Sequence, residues 1–529
     1  MIDVEAEVRE LTEQFGVAEL DLAWLLCDRH AADAPRLALR YEDAGGRTEQ
    51  LTYRELADLS ARFAARLAAA GIRKGDRVAT LLPKRPELLI ATLGLWRLGA
   101  VHVPLFTAFG PEAVGFRLAA SGAGLVVTDA ANRARVPGDT QATPLLVDGL
   151  REQLAEVEPL AAPVTVGPDD LLILIYTSGT TGHPKGVEVP VRALASFEAY
   201  MRFGLDVRPE DVHWNIADPG WAYGLYYGLI ATLLLGNTIL FYNGPFDPEV
   251  TYRLLAKYGV TNLAAAPTVY RVLRASGIQP TGLRLRAAAS AGEPLNPDVI
   301  SWAEQALGVT ILDQYGQTEL GMAVINPRRA DLIRPIKPGS MGQAMPGFRV
   351  LVVDPDGHEL GPGEGGELAV DVPGSPLCWF RGYWREPEWT ARRFVDNRRL
   401  YLTGDAASLD ADGYVFFSSR ADDVISSAGY RIGPFEVESS LMAHPAVAEA
   451  ACVGKPDALR GEVVKAFVVL RPGQAPSDEL AAELREFVKA RLSAHAYPRE
   501  VVFIEQLPKT PSGKVQRFLL RESRAPIPA

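Results

Sequence analysis

"GDRVATLLPKRPELLIATLGLWRLGAVHVPL" runs from Gly75 to Leu105. Its first part, Gly75 to Leu82, reads as a buried strand. Pro86 to Leu98 reads as a helix that Gly99 ends, and "AVHVPL" reads as the next strand. Strand, helix and strand in that order predict a parallel pair with a crossover. Upstream, Thr52 to Ala70 has helical periodicity and stops at Gly71. Downstream the alternation returns. Helices are expected at Pro248 to Tyr258, Thr268 to Ala275 and Pro297 to Leu307. Strands are expected at Asn262 to Ala265, Leu285 to Ala289 and Thr310 to Asp313. The reading is an α/β chain with two doubly wound sheets over most of residues 1–340.

The texture changes near Pro346. "GFRVLVVDPDGHELGPGEGGELAVD" alternates apolar and polar residues around Asp-Gly and Gly-rich turns. That predicts antiparallel hairpins and a small β-barrel-like subdomain over 346–420. A third texture begins at Ala421: helix Pro434 to Ala443, strands Val447 to Val453 and Val463 to Leu470, helix Ser477 to Leu492, strand Glu500 to Phe503. The expected division is a large N-terminal domain, 1–420, and a small mobile α+β domain, 421–529.

The chain has 529 residues, too many for one core, with 48% hydrophobic and 22% charged residues. A net charge of -11 argues against a general nucleic-acid binder. Three scattered cysteines, Cys27, Cys378 and Cys452, offer no metal spacing and fit a reducing, cytoplasmic compartment. The opening "MIDVEAEVRELTEQF" lacks the basic flank and apolar core of a signal peptide. The most apolar stretch, Leu225 to Leu240, is broken by Gly228, Gly236 and Asn237. It reads as a buried helix and a strand rather than a membrane span.

Four short stretches carry chemistry. "YTSGTTGHPKG", Tyr176 to Gly186, is small, hydroxylated and flexible, with one lysine. Its backbone N–H groups could form an anion nest, or it could be only a hairpin loop. It is not a Walker A loop, because Gly186 rather than Ser or Thr follows Lys185. "LDQYGQTELG", Leu312 to Gly321, follows a predicted strand, where open α/β sheets bind ligands. Glu319 is a hard oxygen donor suited to Mg²⁺, unless the stretch is an ordinary strand-to-helix turn. "YLTGDAASLDADGY" places Asp405 in an expected turn, as a ribose acceptor or an Asx turn. "PKTPSGKVQR" puts Lys514 at the tip of an exposed loop, either reaching a site or simply solvated.

Taken in order, these stretches resemble the adenylate-forming enzymes: acyl-CoA synthetases, the adenylation domains of peptide synthetases, and firefly luciferase. The resemblance covers about Leu51 to Arg521. "YTSGTTGHPKG" is similar to the family's phosphate loop, "YGQTELG" to its adenine and magnesium segment, and "TGD" to its ribose segment. "RADDVISSAGYRIGPFEVE" is similar to its hinge, and "PKTPSGKVQR" to its catalytic-lysine loop. "ADPGWAYG", "APTVYR", "SAGEPLNP" and "YGQTE" look most like acetyl- and medium-chain acyl-CoA synthetases.

The resemblance implies ATP, Mg²⁺ and coenzyme A as cofactors and a small carboxylic acid as substrate. It implies that Lys514 bridges the acid and the α-phosphate, that Thr318 contacts the α-phosphate, and that Glu319 ligates Mg²⁺. Thr177, Ser178, Gly179, Thr180, Thr181, Gly182 and Lys185 would hold the β- and γ-phosphates. Gly292, Glu293 and Pro294 would lie on one side of the adenine, with Asp313, Gln314 and Tyr315 on the other. Asp405 would hold the ribose, and Arg420 and Arg431 would approach the ribose and phosphates. Asp422 would be the hinge. Gly429 would admit the pantetheine, and Lys489 and Arg491 would meet coenzyme A phosphates. Lys514 would also be a target for a lysine acetyltransferase and deacetylase.

Two departures stand out. Acetate-specific relatives carry a tryptophan where this chain has Gly316. A missing indole predicts room for extra methylenes, each worth about 0.8 kcal/mol when buried. The acyl pocket would be lined by Trp221, Ala222, Tyr223, Ala291 and Gly316, with Tyr223 larger than usual. The second departure is Ser419 before Arg420, where Gly-Arg is usual. The expected activity is acyl-CoA synthesis from an acid larger than acetate. The alternative is an adenylating enzyme that loads a carrier-protein thiol.

Overall fold

The computed structural model describes residues 3–32, 35–177, 184–293, 295–420, 423–427, 430–457, 460–492, 496–509 and 515–522. The opening stretch folds as read. Arg77–Leu81 and Val101–Pro104 pair in parallel around the Pro86–Arg97 helix. The preceding helix, Tyr53–Ala69, starts at a capping box: the Thr52 hydroxyl accepts from the Glu55 N–H, and the Glu55 carboxylate accepts from the Thr52 N–H.

The first sheet has six strands. In spatial order they are Thr143–Leu146, Leu125–Thr128, Arg77–Leu81, Val101–Pro104, Leu171–Thr177 and Lys185–Pro190, with only the last pair antiparallel. The second has nine strands, and its parallel centre is Ile311–Gln317, Ala287–Ala291, Asn262–Ala265, Val212–Asn215 and Thr238–Asn243. Buried aliphatic and aromatic side chains from both sheets join in one core, with Trp96, Phe197 and Tyr227 inside it.

The stretch from Leu225 forms a run of wide π-turns, Gly224–Ile230, before an ordinary helical turn and the Thr238–Asn243 strand. Close packing accounts for its glycines. A side chain at Gly224 would collide with the Asp218 carbonyl, and one at Gly228 would come within 2.9 Å of Asn215 Cβ. The wide turns therefore press against the carboxyl end of the Val212–Asn215 strand, a common use of π-turns at functional sites.

After Pro346 the expected hairpins are present. Val350–Val353, Gly365–Asp371 and Leu400–Leu409 pair antiparallel, and Phe394–Val395 and Val415–Arg420 share the far side of Leu400–Leu409. The strand path stays open among the described residues and does not close into a barrel. The long central strand spends its outer edge on two short partners rather than on one that could continue round. The C-terminal part is a second antiparallel sheet with one parallel edge strand, Glu500–Phe503, backed by helices Pro434–Met442 and Asp478–Arg491. No helix among the described residues is long and apolar enough to cross a membrane.

Candidate active site

Three strand ends and one long hairpin bring the candidate residues together. Leu171–Thr177 and Lys185–Pro190 form a hairpin in which Thr177 pairs with Lys185. The strands on either side of "YTSGTTGHPKG" therefore pair as a hairpin, which fits either reading of the segment between them. Ser178, Gly179, Thr180, Thr181 and Gly182 lie outside the described residues. Lys185 is held from the side: its ammonium sits 3.7 Å from the centre of the Trp389 ring. Burial lowers its pKa, and repulsion from Arg393 adds to that, against attraction from Glu319 and Glu386.

"YGQTELG" is a β-hairpin rather than a strand-to-helix turn. Ile311–Gln317 runs on through the motif, and Gly321–Ile325 returns antiparallel. The tight turn between them presents Thr318 and Glu319. Tyr383 donates from its hydroxyl to Glu319 Oε1 at 2.8 Å, and Arg393 Nε donates to the Tyr383 oxygen at 3.2 Å. Glu319 Oε2 accepts no hydrogen bond from a described residue. The Thr318 carbonyl is fixed by the Tyr226 hydroxyl at 3.0 Å, while its own hydroxyl is unbonded among the described residues.

Asp405 does not lie in a turn. It sits within the Leu400–Leu409 strand, opposite Arg420. The turn signal of Thr403-Gly404 surfaces instead as a kink: Gly404 has φ +73°, and the ladder slips register on both sides of it. The Asp405 carboxylate is buried and accepts from the Tyr315 hydroxyl at 2.6 Å and from Gln317 Nε2 at 2.7 Å. Tyr401 donates to Gln317 Oε1 at 3.0 Å and fixes that amide. Tyr315 and Asp405, assigned by resemblance to base and ribose, are thus joined directly.

The other candidates on the adenine side divide. Asp313 is buried, and its Oδ1 has no partner among the described residues. Burial raises its pKa to about 8, against the pull of backbone N–H groups of Leu295 and Gln314. Gln314 turns its amide to the Asn326 backbone, and Glu293 gives its carboxylate to Thr268 and Arg271. Only the backbones of Gln314 and Glu293 remain for a base. Gly292 has φ +95°, where a side chain would be strained. Pro294 lies outside the described residues.

The pocket candidates gather at the carboxyl ends of Val212–Asn215, Ala287–Ala291 and Ile311–Gln317. Trp221 packs on Phe106 and Phe109, with ring centres 5.7 and 5.6 Å apart. Its indole nitrogen is buried without a partner among the described residues. The Tyr223 hydroxyl meets that of Tyr200 at 3.4 Å, and Asn215 Nδ2 donates to the Tyr223 carbonyl. Gly316 changes the expectation attached to it. A Cβ there would collide with the Gly321 carbonyl and lie 2.8 Å from Met322 Cα. The space is not an empty indole slot, because the bulged hairpin backbone occupies it.

Asp422, Gly429 and Lys514 lie outside the described residues, as do the side chains of Arg420 and Arg431. Lys489 pairs with Glu486 on its own helix at 3.2 Å, and Arg491 stacks on Phe487. Both stay on the helix surface. Sequence reasoning missed Gln317, Tyr200, Tyr383, Trp389, Arg393 and Tyr401. Gln317 stood inside a motif already singled out, so its amide was the available signal; the others reach the site only through the tertiary fold.

Comparison with known proteins accords with this geometry. The AMP-binding enzyme family matches residues 27–384, and the AMP-binding enzyme C-terminal domain matches residues 436–514. The chain is 39% identical to the acetyl-coenzyme A synthetase of Bacillus subtilis (strain 168), covering 99% of this chain and 94% of that one. It is 37% identical to the mitochondrial acyl-coenzyme A synthetase ACSM3 of Homo sapiens, covering 90% and 84%. Among solved structures, the Brucella canis acyl-CoA synthetase superposes with a TM-score of 0.74 at 47% identity, over 96% and 94% of the two chains. A benzoate CoA ligase from Burkholderia xenovorans LB400 superposes with a TM-score of 0.84 at 30% identity, over 95% and 100%.

Proposed function

Because the chain belongs to the family of AMP-binding enzymes and acts as an ATP-dependent acyl-CoA synthetase, we propose that its acid is larger than acetate: medium-chain, branched or aromatic. In the first step the acid's carboxylate oxygen attacks the α-phosphorus of ATP. The bond to the bridging oxygen breaks, and pyrophosphate leaves. In the second step the thiol of coenzyme A attacks the acyl carbon of the mixed anhydride, loses its proton, and AMP leaves.

An anion meets an anion in the first step, so positive charge decides its rate. We assign that charge at the α-phosphate to Lys514, and Lys185 with residues 177–182 to the outer phosphates. Asp405, with Tyr315 and Gln317 bonded to it, is assigned to the ribose. Glu319 suits Mg²⁺: its Oε2 takes no hydrogen bond from a described residue, and a carboxylate oxygen is the hard donor this ion prefers. Bound there, the ion would supply further positive charge to the phosphoryl oxygens. We read residues 421–529 as a lid that turns at Asp422 between the steps, withdrawing Lys514 and presenting Gly429 to the thiol. Acetylation of Lys514 would then silence the first step. Three free cysteines accord with a cytoplasmic location.

One observation carries the size of the acid. At the positions assigned to the acyl pocket, Gly316 offers a wall without a side chain, and Ala222 and Ala291 add only methyl groups. Each methylene buried against such a wall adds about 0.8 kcal/mol. Tyr223, held against Tyr200, sets the far limit. A pyrophosphate-release screen of straight-chain acids from acetate upward, with aryl acids, run with and without coenzyme A, tests the reading. An acid longer than acetate should give the highest kcat/KM, with AMP and thioester formed together. Preference for acetate would refute the pocket. Turnover indifferent to coenzyme A and restored by a carrier-protein thiol would favour carrier loading.

A further inference from the structure

Arg393 is a half-buried guanidinium without a carboxylate partner among the described residues. Nε donates to the Tyr383 hydroxyl at 3.2 Å, and one terminal nitrogen reaches the Leu402 carbonyl at 3.5 Å. The other terminal nitrogen has no hydrogen-bond partner among the described residues. Through Tyr383, Arg393 stands one residue from Glu319. It also lies close enough to Lys185 to repel its ammonium.

The same short stretch adds more positive charge. Arg392 packs on the Trp389 ring, its guanidinium carbon 4.7 Å from the ring centre, and Lys185 packs on that ring at 3.7 Å. Three cations, Lys185, Arg392 and Arg393, therefore share this neighbourhood with two carboxylates, Glu319 and Glu386, all four of the others acting on the Lys185 ammonium. Neither carboxylate forms an ion pair with any of the three within 4 Å. Cations gathered without matching anions favour a polyanionic ligand. A divalent ion on Glu319 would increase that surplus.

We propose that Arg393 is a second cationic arm for the outer phosphates of ATP, gripping the leaving pyrophosphate opposite Lys185. This rests on reading Lys185 and Glu319 as part of the phosphate site. The open guanidinium nitrogen supplies hydrogen bonds to phosphoryl oxygens. The open nitrogen carries two N–H groups, enough for two phosphoryl oxygens.

The test uses the full-length protein, with inhibition by magnesium pyrophosphate and binding of AMP as readouts. Arg393→Gln should weaken pyrophosphate inhibition by about tenfold or more, the loss of one charge-assisted contact, while AMP binding stays unchanged. Arg393→Lys should recover part of the loss and covers the case in which the Gln variant does not fold. Tyr383→Phe keeps the guanidinium and should change pyrophosphate inhibition far less. Equal loss in Tyr383→Phe and Arg393→Gln would overturn the proposal in favour of a role only in positioning Glu319. So would a matching loss of AMP binding in Arg393→Gln. If Lys185→Ala weakens pyrophosphate inhibition and Arg393→Gln does not, Arg393 is excluded but the phosphate site stands. If neither changes it, the phosphate-site reading itself fails.

Discussion

The Tyr315 hydroxyl donates to Asp405 Oδ2 at 2.6 Å, joining the Ile311–Gln317 strand of the nine-stranded sheet to the Leu400–Leu409 strand of the small antiparallel sheet. Base and ribose candidates are thereby fixed relative to each other before any nucleotide arrives. Asp405→Ala should weaken ATP and AMP alike, by roughly 10- to 100-fold for the loss of a charged hydrogen-bond acceptor. Calorimetric titration with AMP checks this. An unchanged affinity would remove Asp405 from the ribose site.

Gly316 can be tested by stability. A Cβ there meets backbone, not a movable side chain, so the hairpin itself must shift. Gly316→Ala should lower the melting temperature, at a cost of about 1–3 kcal/mol for overpacking. Gly316→Trp should be worse, and should not simply convert the protein to an acetate enzyme. A stable Gly316→Trp variant that prefers acetate would show that the backbone yields and that the indole slot is real.

Asp313 predicts a pH dependence of a definite sign. Its folded pKa is raised to about 8 by burial, above an ordinary carboxylate value of 3.8. The folded protein keeps this proton where the unfolded chain has lost it. Its contribution to stability is complete below about pH 4 and falls away as pH rises to about 8. Melting temperatures across that range should show this decline, and Asp313→Asn should flatten it. An unaltered profile in Asp313→Asn would contradict the assignment.

Much of the fold was legible because its signals are local. Buried strands, helices with Gly stops and the change of texture after Pro346 each announce themselves within a dozen residues. The candidate site was legible only in part. Thr403-Gly404 reads locally as a turn, yet ladders on both sides draw it into a strand and leave only a kink at Gly404. Glu319 was found by its motif, whereas Tyr383, which holds it, lies 64 positions away. No periodicity links the two. Trp389, under Lys185, is likewise brought there only by the tertiary fold. Gly316 was singled out correctly, but for a space that the backbone fills.

We propose two separable steps at one site, with Lys514 serving only the first. The direct measurement is Lys514→Ala assayed on each half-reaction: acyl-AMP formation from acid and MgATP, and thioester formation from synthetic acyl-AMP and coenzyme A. Adenylation should fall by orders of magnitude while thioester formation from the preformed adenylate keeps its rate. Equal loss in both half-reactions, or none in the first, would contradict it.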